Sequence, residues 1–489
     1  TRKPKFICFS FGITPKRIGV VTKPELAKSW DISSDGLVYR FHLREGVKWH
    51  DGKPFTSADV KFTIEKMVIP YHPLGKRVWA NLESITTPDP HTVIITLIKS
   101  FPPLIQMLGL GYGFGGIMPK HLFEGTDFFK NPYSFKPVGT GPFVFKEWKR
   151  GSHIIFERNR NYWESSLPYL DKIVVQIVPD AATRLTGLFA GQFDQAEWPG
   201  IPYGQISKVE ASPLLQLSKT PQGAAGLYNL TFNLRDPILK NKKVRQAIAY
   251  AIDFNFIKKI VFFDLTKPAT AHISSNLGPS YWNENKPLAK YHEQNIEKAN
   301  RLLDEAGFLR KEKGTRFKLT LTMTMALTFN RDAATVLTKQ LAEIGIEIEP
   351  RILEYAAFLK KIYTDWDFQL MIHTMSSGPF PEFYVSRLYI SSNIKSGVTF
   401  SNAAGYSNPE IDHLFKAAST EPDAAKGKSM FYKIQDILAE DIPVLPIWEV
   451  YYPLISSTKF HNTGLSPLAC GGEFLWGQIW WEKAERTEP

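Results

Sequence analysis

The groups of this 489-residue chain that could carry acid–base, metal or thiol chemistry are 11 His, 48 Asp and Glu, and two Cys. Their spacing supports none of those chemistries. A transition-metal site needs three or four converging donors, but His50-Asp51 sits on an expected turn, and His121 and His153 have no neighbour at ligand spacing. No His-Glu-x-x-His, Gly-x-Ser-x-Gly or phosphate-cradling Gly-x-x-x-x-Gly-Lys motif occurs. Gly111, Gly113 and Gly116 fit Gly-x-Gly-x-x-Gly, but a dinucleotide site needs a strand before them and a helix N-terminus after them. Here Ile117-Met118-Pro119 follows and gives no clear helix entry. Cys8 and Cys470 form no Cys-x-x-Cys and stand near opposite ends; they either close a disulfide joining the termini or remain two thiols. Carboxylates suffice in number for a glycoside-hydrolysing pair, yet nothing selects two of them. The expectation is a protein with no catalytic residue, no metal site and no cofactor. Its chemistry is recognition.

The elements that must present such a recognition surface can be read from patterning. Hydrophobic residues make up 43% and charged residues 22%, which is globular rather than disordered composition. One core rarely grows past about 250–300 residues, so two or three lobes are expected. The net charge of +11 is spread along the chain and interleaved with acids, with no stripe or tail for nucleic acid. No run of about 18 apolar residues exists to span a bilayer, and no basic-then-apolar leader opens the chain, leaving a trimmed exported protein or a cytosolic one. A first strand is read at residues 5–11, and alternation over Val38–Leu43 and Thr92–Leu97 reads as half-buried strands. Thr56-Ser57-Ala58-Asp59 opens a helix, and a second helix covers Ala181–Ala190 before Gly191. A strand at Leu230–Asn233 enters a helix over Val244–Ile260. From there helix and strand alternate: helix Asn295–Ala306, strand Phe317–Met323, helix Ala333–Ile344, strand Ile346–Pro350, helix Tyr355–Tyr363, strand Phe368–Ile372. That order builds βαβ units and therefore parallel sheet, an α/β fold of more than one lobe.

Five stretches in order carry a resemblance. The first runs from Pro24-Glu25-Leu26-Ala27-Lys28-Ser29-Trp30 through Trp49-His50-Asp51-Gly52-Lys53-Pro54-Phe55-Thr56. The second is Gly139-Thr140-Gly141-Pro142-Phe143, followed by Asn161-Tyr162-Trp163. The third is Lys243-Val244-Arg245-Gln246-Ala247 through Ala251-Ile252-Asp253, and the fourth Ala299-Asn300-Arg301-Leu302-Leu303 through Gly307-Phe308. The last is Tyr406-Ser407-Asn408-Pro409, ahead of Pro443-Val444-Leu445-Pro446. Together they resemble the family 5 extracellular solute-binding proteins, the oligopeptide, dipeptide and nickel receptors of ABC importers.

The resemblance implies a periplasmic-binding-protein-like α/β fold of type II, cluster C: two lobes, an inserted extra domain and a central cleft that closes on its ligand. Lobe I would comprise residues 1–18, 136–254 and 456–489, the inserted domain 19–135, and lobe II 255–455. It implies a monomeric, non-enzymatic receptor that captures a peptide or peptide-like ligand and meets the importer's permease subunits. It would work in the periplasm, or lipid-anchored outside a Gram-positive cell. An oligosaccharide or opine is the alternative ligand. Peptide-binding relatives balance the ligand's α-ammonium with an aspartate just after the strand that is Phe368–Ile372 here. A buried unpaired charge costs several kcal/mol, about enough to abolish weak binding. The aligned position is Ser376, and no acid lies between Asp367 and Glu382. The expected ligand-binding residues are therefore Tyr355, His373, Thr374, Ser376, Ser377 and Glu382 around that strand, with Tyr228 and Asn229 at the entry to the second lobe.

Overall fold

The first sheet is built from β1 (Ala27–Ile32), β2 (Val38–Leu43), β3 (Leu82–Asp89) and β4 (Thr92–Leu97). Alternating burial marks its two central strands, β2 and β4, whose every second residue is buried, with Tyr39, Phe41, Val93 and Ile95 turned inward. The four strands form one antiparallel sheet in the order β1-β2-β4-β3. The helix Ser57–Phe62 packs on it, opened by a capping box in which Asp59 reaches back to the Thr56 amide. A second antiparallel sheet joins β5 (Phe143–Lys149), β6 (His153–Arg158) and β7 (Lys172–Gln176). β8 (Gln195–Ala196) and β9 (Leu215–Leu217) flank the strand Ile455–Ser457 in a third. The helix Ala181–Phe189 is capped by Asp180. The computed structural model describes residues 24–72, 75–101, 103–108, 116–196, 201–217, 226–312, 314–325, 327, 329–378, 380–421, 423–450, 454–461 and 480–481. The expected strand at residues 5–11, Cys8, Cys470, Gly111 and Gly113 lie outside them.

The motifs that carry the resemblance act here as structural ties. His50 accepts from the Gly139 amide through Nδ1 at 3.1 Å, and its Nε2 lies 3.0 Å from the Gly141 carbonyl. Asn159 donates to that same carbonyl at 2.9 Å. Asp51 pairs with His121 at 2.7 Å. Burial lowers the His50 pKa, as expected of an imidazole that braces a turn.

The chain divides into two compact units, one of Thr1–Glu197, Val209–Gln222 and Leu454–Pro489, the other of Trp198–Lys208 and Gly223–Pro453. A central strand of the second unit's sheet begins at Gly226. That sheet joins β10 (Gly226–Phe232), β11 (Phe317–Thr324), β12 (Ile346–Leu353), β13 (Leu370–Ser376) and β14 (Val444–Glu449) in the order β12-β11-β13-β10-β14. β11 is parallel to β12 and β13, whereas β10 is antiparallel to both its neighbours. One face, with Tyr228, Leu230, Leu370, Ile372 and Trp448, packs in the main core under the helices Lys242–Ala251, Phe254–Phe262, Ile296–Glu305 and Phe329–Glu343.

Two boundaries differ from the sequence reading for local reasons. The single helix expected over 244–260 breaks at Ile252, because the Asp253 carboxylate caps a new helix at the Phe256 amide. β13 extends four residues past Ile372, because its end pairs with the start of β10 from Asn229↔His373 to Gly226↔Ser376.

Candidate functional site

Because β11, β12 and β13 run parallel, their carboxyl ends share one edge of the second unit's sheet, and open α/β sheets offer ligand sites at that edge. Thr324 stands opposite Leu353 there, and Gly226 opposite Ser376. β14 runs the same way and brings Glu449 opposite Leu227.

A cavity of about 240 Å³ opens at the ends of β11 and β12, beside the start of the helix Phe329–Glu343. Its walls are mixed: Met323, Met325, Leu327 and Ile352 give apolar surface, and Thr324, Arg331 and Asp332 give polar surface of comparable extent. Met323 is fully buried, whereas Met325 is 59% exposed. The Met325 amide donates to the Leu353 carbonyl at 2.9 Å and holds the two strand ends together. Among the described residues, the guanidinium of Arg331 has no hydrogen-bond or ion-pair partner.

The residues expected to bind ligand divide into two sets. Tyr355 is 40% exposed at the start of the helix Tyr355–Tyr363, which Glu354 caps at the Ala356 amide. Partial burial raises its phenol above the usual range. Thr374 and Ser376 are half-buried within β13, and Ser376 Oγ accepts from the Gly378 amide at 2.9 Å. These three lie at or near the carboxyl edge.

The other five face inward. Tyr228 is fully buried, stacked on Trp448 with ring centres 4.4 Å apart, and its hydroxyl donates to Asn330. Asn330 in turn donates to the Thr324 carbonyl at 3.0 Å, so Tyr228 fixes the helix start beside the cavity from beneath. Asn229 is buried on the opposite sheet face, where its Nδ2 donates to the Leu227 carbonyl at 3.3 Å. His373 shares that face, its Nε2 3.0 Å from Thr231 Oγ1. Burial, reinforced by the nearby Arg387 charge, pushes the His373 pKa down to about 3. Ser377 Oγ accepts from the Ser274 amide at 3.1 Å. Glu382 is buried in the short helix Pro381–Tyr384, and its charge adds to the burial that raises the Tyr281 phenol. The chain turns inward after Ser376 through Gly378, whose φ of +57° suits glycine. That turn carries Ser377 and Glu382 into the interior.

Sequence reasoning did not single out the cavity residues or Glu449. The Glu449 carboxylate is buried and gathers three donors: Ser275 N at 3.0 Å, Ser274 Oγ at 3.3 Å and Asn276 Nδ2 at 3.4 Å. Lys267 lies 3.6 Å away. Since Ser274 also donates to Ser377, this carboxylate links the ends of β13 and β14. The available signal was positional: the carboxyl-edge rule, applied to β13, points equally to the end of β11.

A family model described as bacterial extracellular solute-binding proteins, family 5 Middle, matches residues 21–396. The chain is 29% identical over 467 residues to heme-binding protein A of Haemophilus influenzae, covering 91% of this chain and 80% of that protein. It is 30% identical over 447 residues to the oligopeptide-binding protein AppA of Bacillus subtilis, covering 88% and 78%. The solved structure of the Bacillus subtilis AppA in complex with a nonapeptide matches with a TM-score of 0.83 at 27% identity, covering 98% of this chain and 93% of that one. This similarity bears out the periplasmic-binding-protein-like α/β fold expected from the sequence.

Proposed function

The chain belongs to the bacterial extracellular solute-binding proteins of family 5, and from that premise we propose that it captures a peptide-like ligand at the carboxyl edge of the second unit's sheet and delivers it to the permease of an ABC importer. The observation that supports this site is the cavity at the ends of β11 and β12, with partly exposed Tyr355 just beyond Leu353. Thr374 and Ser376 supply hydrogen-bonding groups nearby, which a peptide backbone needs once its amides leave water. His373, Tyr228, Asn229, Ser377 and Glu382 hold the frame. The role is binding without reaction, so affinity comes from burial and preorganised hydrogen bonds. The protein acts as a monomer outside the cytoplasm, free in a periplasm or lipid-tethered to a Gram-positive surface. Among the relatives named above, AppA is an oligopeptide-binding protein whose solved structure is a complex with a nonapeptide, which favours the peptide class.

Thermal denaturation with pooled peptides, opines and oligosaccharides tests the assignment. A ligand at a hundred times its Kd stabilises by about 2.7 kcal/mol, a clear shift in Tm. We expect the peptide pool to produce that shift. Stabilisation by sugars or opines alone would refute the peptide reading.

A further inference from the structure

We propose that a patch of exposed aromatic rings and cations on the first unit docks the protein on a bilayer surface rich in anionic phosphate headgroups. Docking there is independent of what fills the candidate ligand site. Tyr71, Phe129, Tyr133 and Trp148 are between 38% and 50% exposed, and clustered exposure of large rings marks an interaction surface. The rings are connected. Tyr71 meets both Phe128 and Phe129 with ring centres 5.5 Å apart. Phe128 is itself buried, stacked on Phe123 at 5.9 Å, which anchors the group to the interior. Phe135 lies 6.5 Å from Trp148 of β5. Residues 127–136 join the two halves of the patch and are tied down from within. Ser134 Oγ donates to the Phe128 carbonyl at 2.6 Å, the Tyr133 amide donates to Asn131 Oδ1 at 2.9 Å, and Asn131 Nδ2 donates to the Leu122 carbonyl at 2.8 Å. A loop fixed in this way loses little freedom on docking.

The charges identify the partner. Lys130 and Lys136 stand among residues 127–136, and the Arg150 guanidinium lies 5.6 Å and 5.5 Å from the ring centres of Phe135 and Trp148. Against these three cations the loop sets one acid, Asp127, which is 3.9 Å from Lys130. Glu147, beside Trp148 in sequence, is engaged by His153 at 3.4 Å. Among the described residues, Lys136 and Arg150 have no acidic partner, and the Tyr71 and Tyr133 hydroxyls and the Trp148 indole N–H have no hydrogen-bond partner. Rings with an apolar body and a polar tip settle at the boundary between headgroups and acyl chains, while neighbouring lysines and arginines attract lipid phosphate. The net charge of +11 draws the whole chain toward the same surface.

The test mixes the full chain with vesicles of pure phosphatidylcholine, or of equal parts phosphatidylcholine and phosphatidylglycerol, and measures binding by flotation. We expect binding to the anionic vesicles to be at least about tenfold tighter and to weaken as salt rises. Lys136→Gln combined with Arg150→Gln should weaken it by about tenfold or more, and Phe129→Ser combined with Trp148→Ser by a similar factor. Circular dichroism checks that both variants fold; if the aromatic variant does not, the charge variant, confined to exposed side chains, carries the test. Equal binding to both vesicle types, or binding that the charge variant leaves unchanged, would overturn the assignment. No flotation, together with self-association in sedimentation that Phe129→Ser and Trp148→Ser abolish, would overturn it too and give the patch to a second copy of the chain.

Discussion

Two buried imidazoles make the stability of the second unit depend on pH in a way that reports directly on where His373 sits. His373 and His272 are nearly inaccessible, and burial lowers each pKa from 6.5 to about 3. His272 Nε2 donates to the Val444 carbonyl at 3.1 Å, and Arg387 further opposes a proton on His373. Each ring stays neutral when folded but gains a proton near pH 6.5 once unfolded. The unfolded state therefore binds more protons between those two values, and stability present above pH 6.5 is lost as pH falls toward 3. One pKa unit corresponds to about 1.4 kcal/mol, so going from pH 7.5 to pH 5 removes about 2 kcal/mol per histidine, roughly 4 for the pair. Guanidinium denaturation followed by tryptophan fluorescence at the two pH values measures the loss. His373→Asn should lower stability at both pH values but reduce the acid-induced loss by about 2 kcal/mol, and His272→Asn should do the same. An acid-induced loss unchanged in His373→Asn would refute the burial argument and return His373 to the solvent-facing site.

Other consequences are as direct. The Arg245 guanidinium, almost fully buried, donates to the carbonyls of Asp441, Ile442, Leu239 and Lys240 at 2.8–3.0 Å. Arg245→Met should destabilise by about 3–5 kcal/mol by leaving those acceptors unpaired, and a loss below about 1 kcal/mol in chemical denaturation would contradict this. At Gly378 an added Cβ would lie 2.2 Å from Tyr384 Cγ, on top of the positive φ. Gly378→Ala should therefore lower Tm by an amount equivalent to about 2 kcal/mol or more and weaken peptide binding, because it displaces the end of β13. With Ser376 in place of an acid, N-acetylated and free peptides should bind within about threefold of each other in calorimetry; a strong preference for the free amine would show that another group supplies the countercharge.

Much of the scaffold was legible because its signals are local. Asn295 and Asp180 cap their helices where patterning placed them, and Tyr355–Tyr363 runs over the span its periodicity predicts. The misreadings came from competition between neighbouring signals. Asp253 restarts a helix within an otherwise continuous apolar pattern. The end of β13 is held by pairing with β10, which lies more than a hundred residues away in sequence. The site was less legible than the fold. Ser377 and Glu382 follow the expected strand end but are turned inward by Gly378, while Met323 and Leu327 look in sequence like ordinary core residues. Only the parallel pairing of β11 with β12 and β13 reveals that their carboxyl ends form one edge with a cavity in it.

Hydrogen–deuterium exchange of the full chain, with and without a peptide that stabilises it in thermal denaturation, tests the central claim that this edge carries the ligand. The account predicts added protection at the start of the helix Phe329–Glu343, at the start of the helix Tyr355–Tyr363 and at the end of β13, around Thr374–Gly378. Tight peptide binding that leaves all three segments unchanged would contradict it.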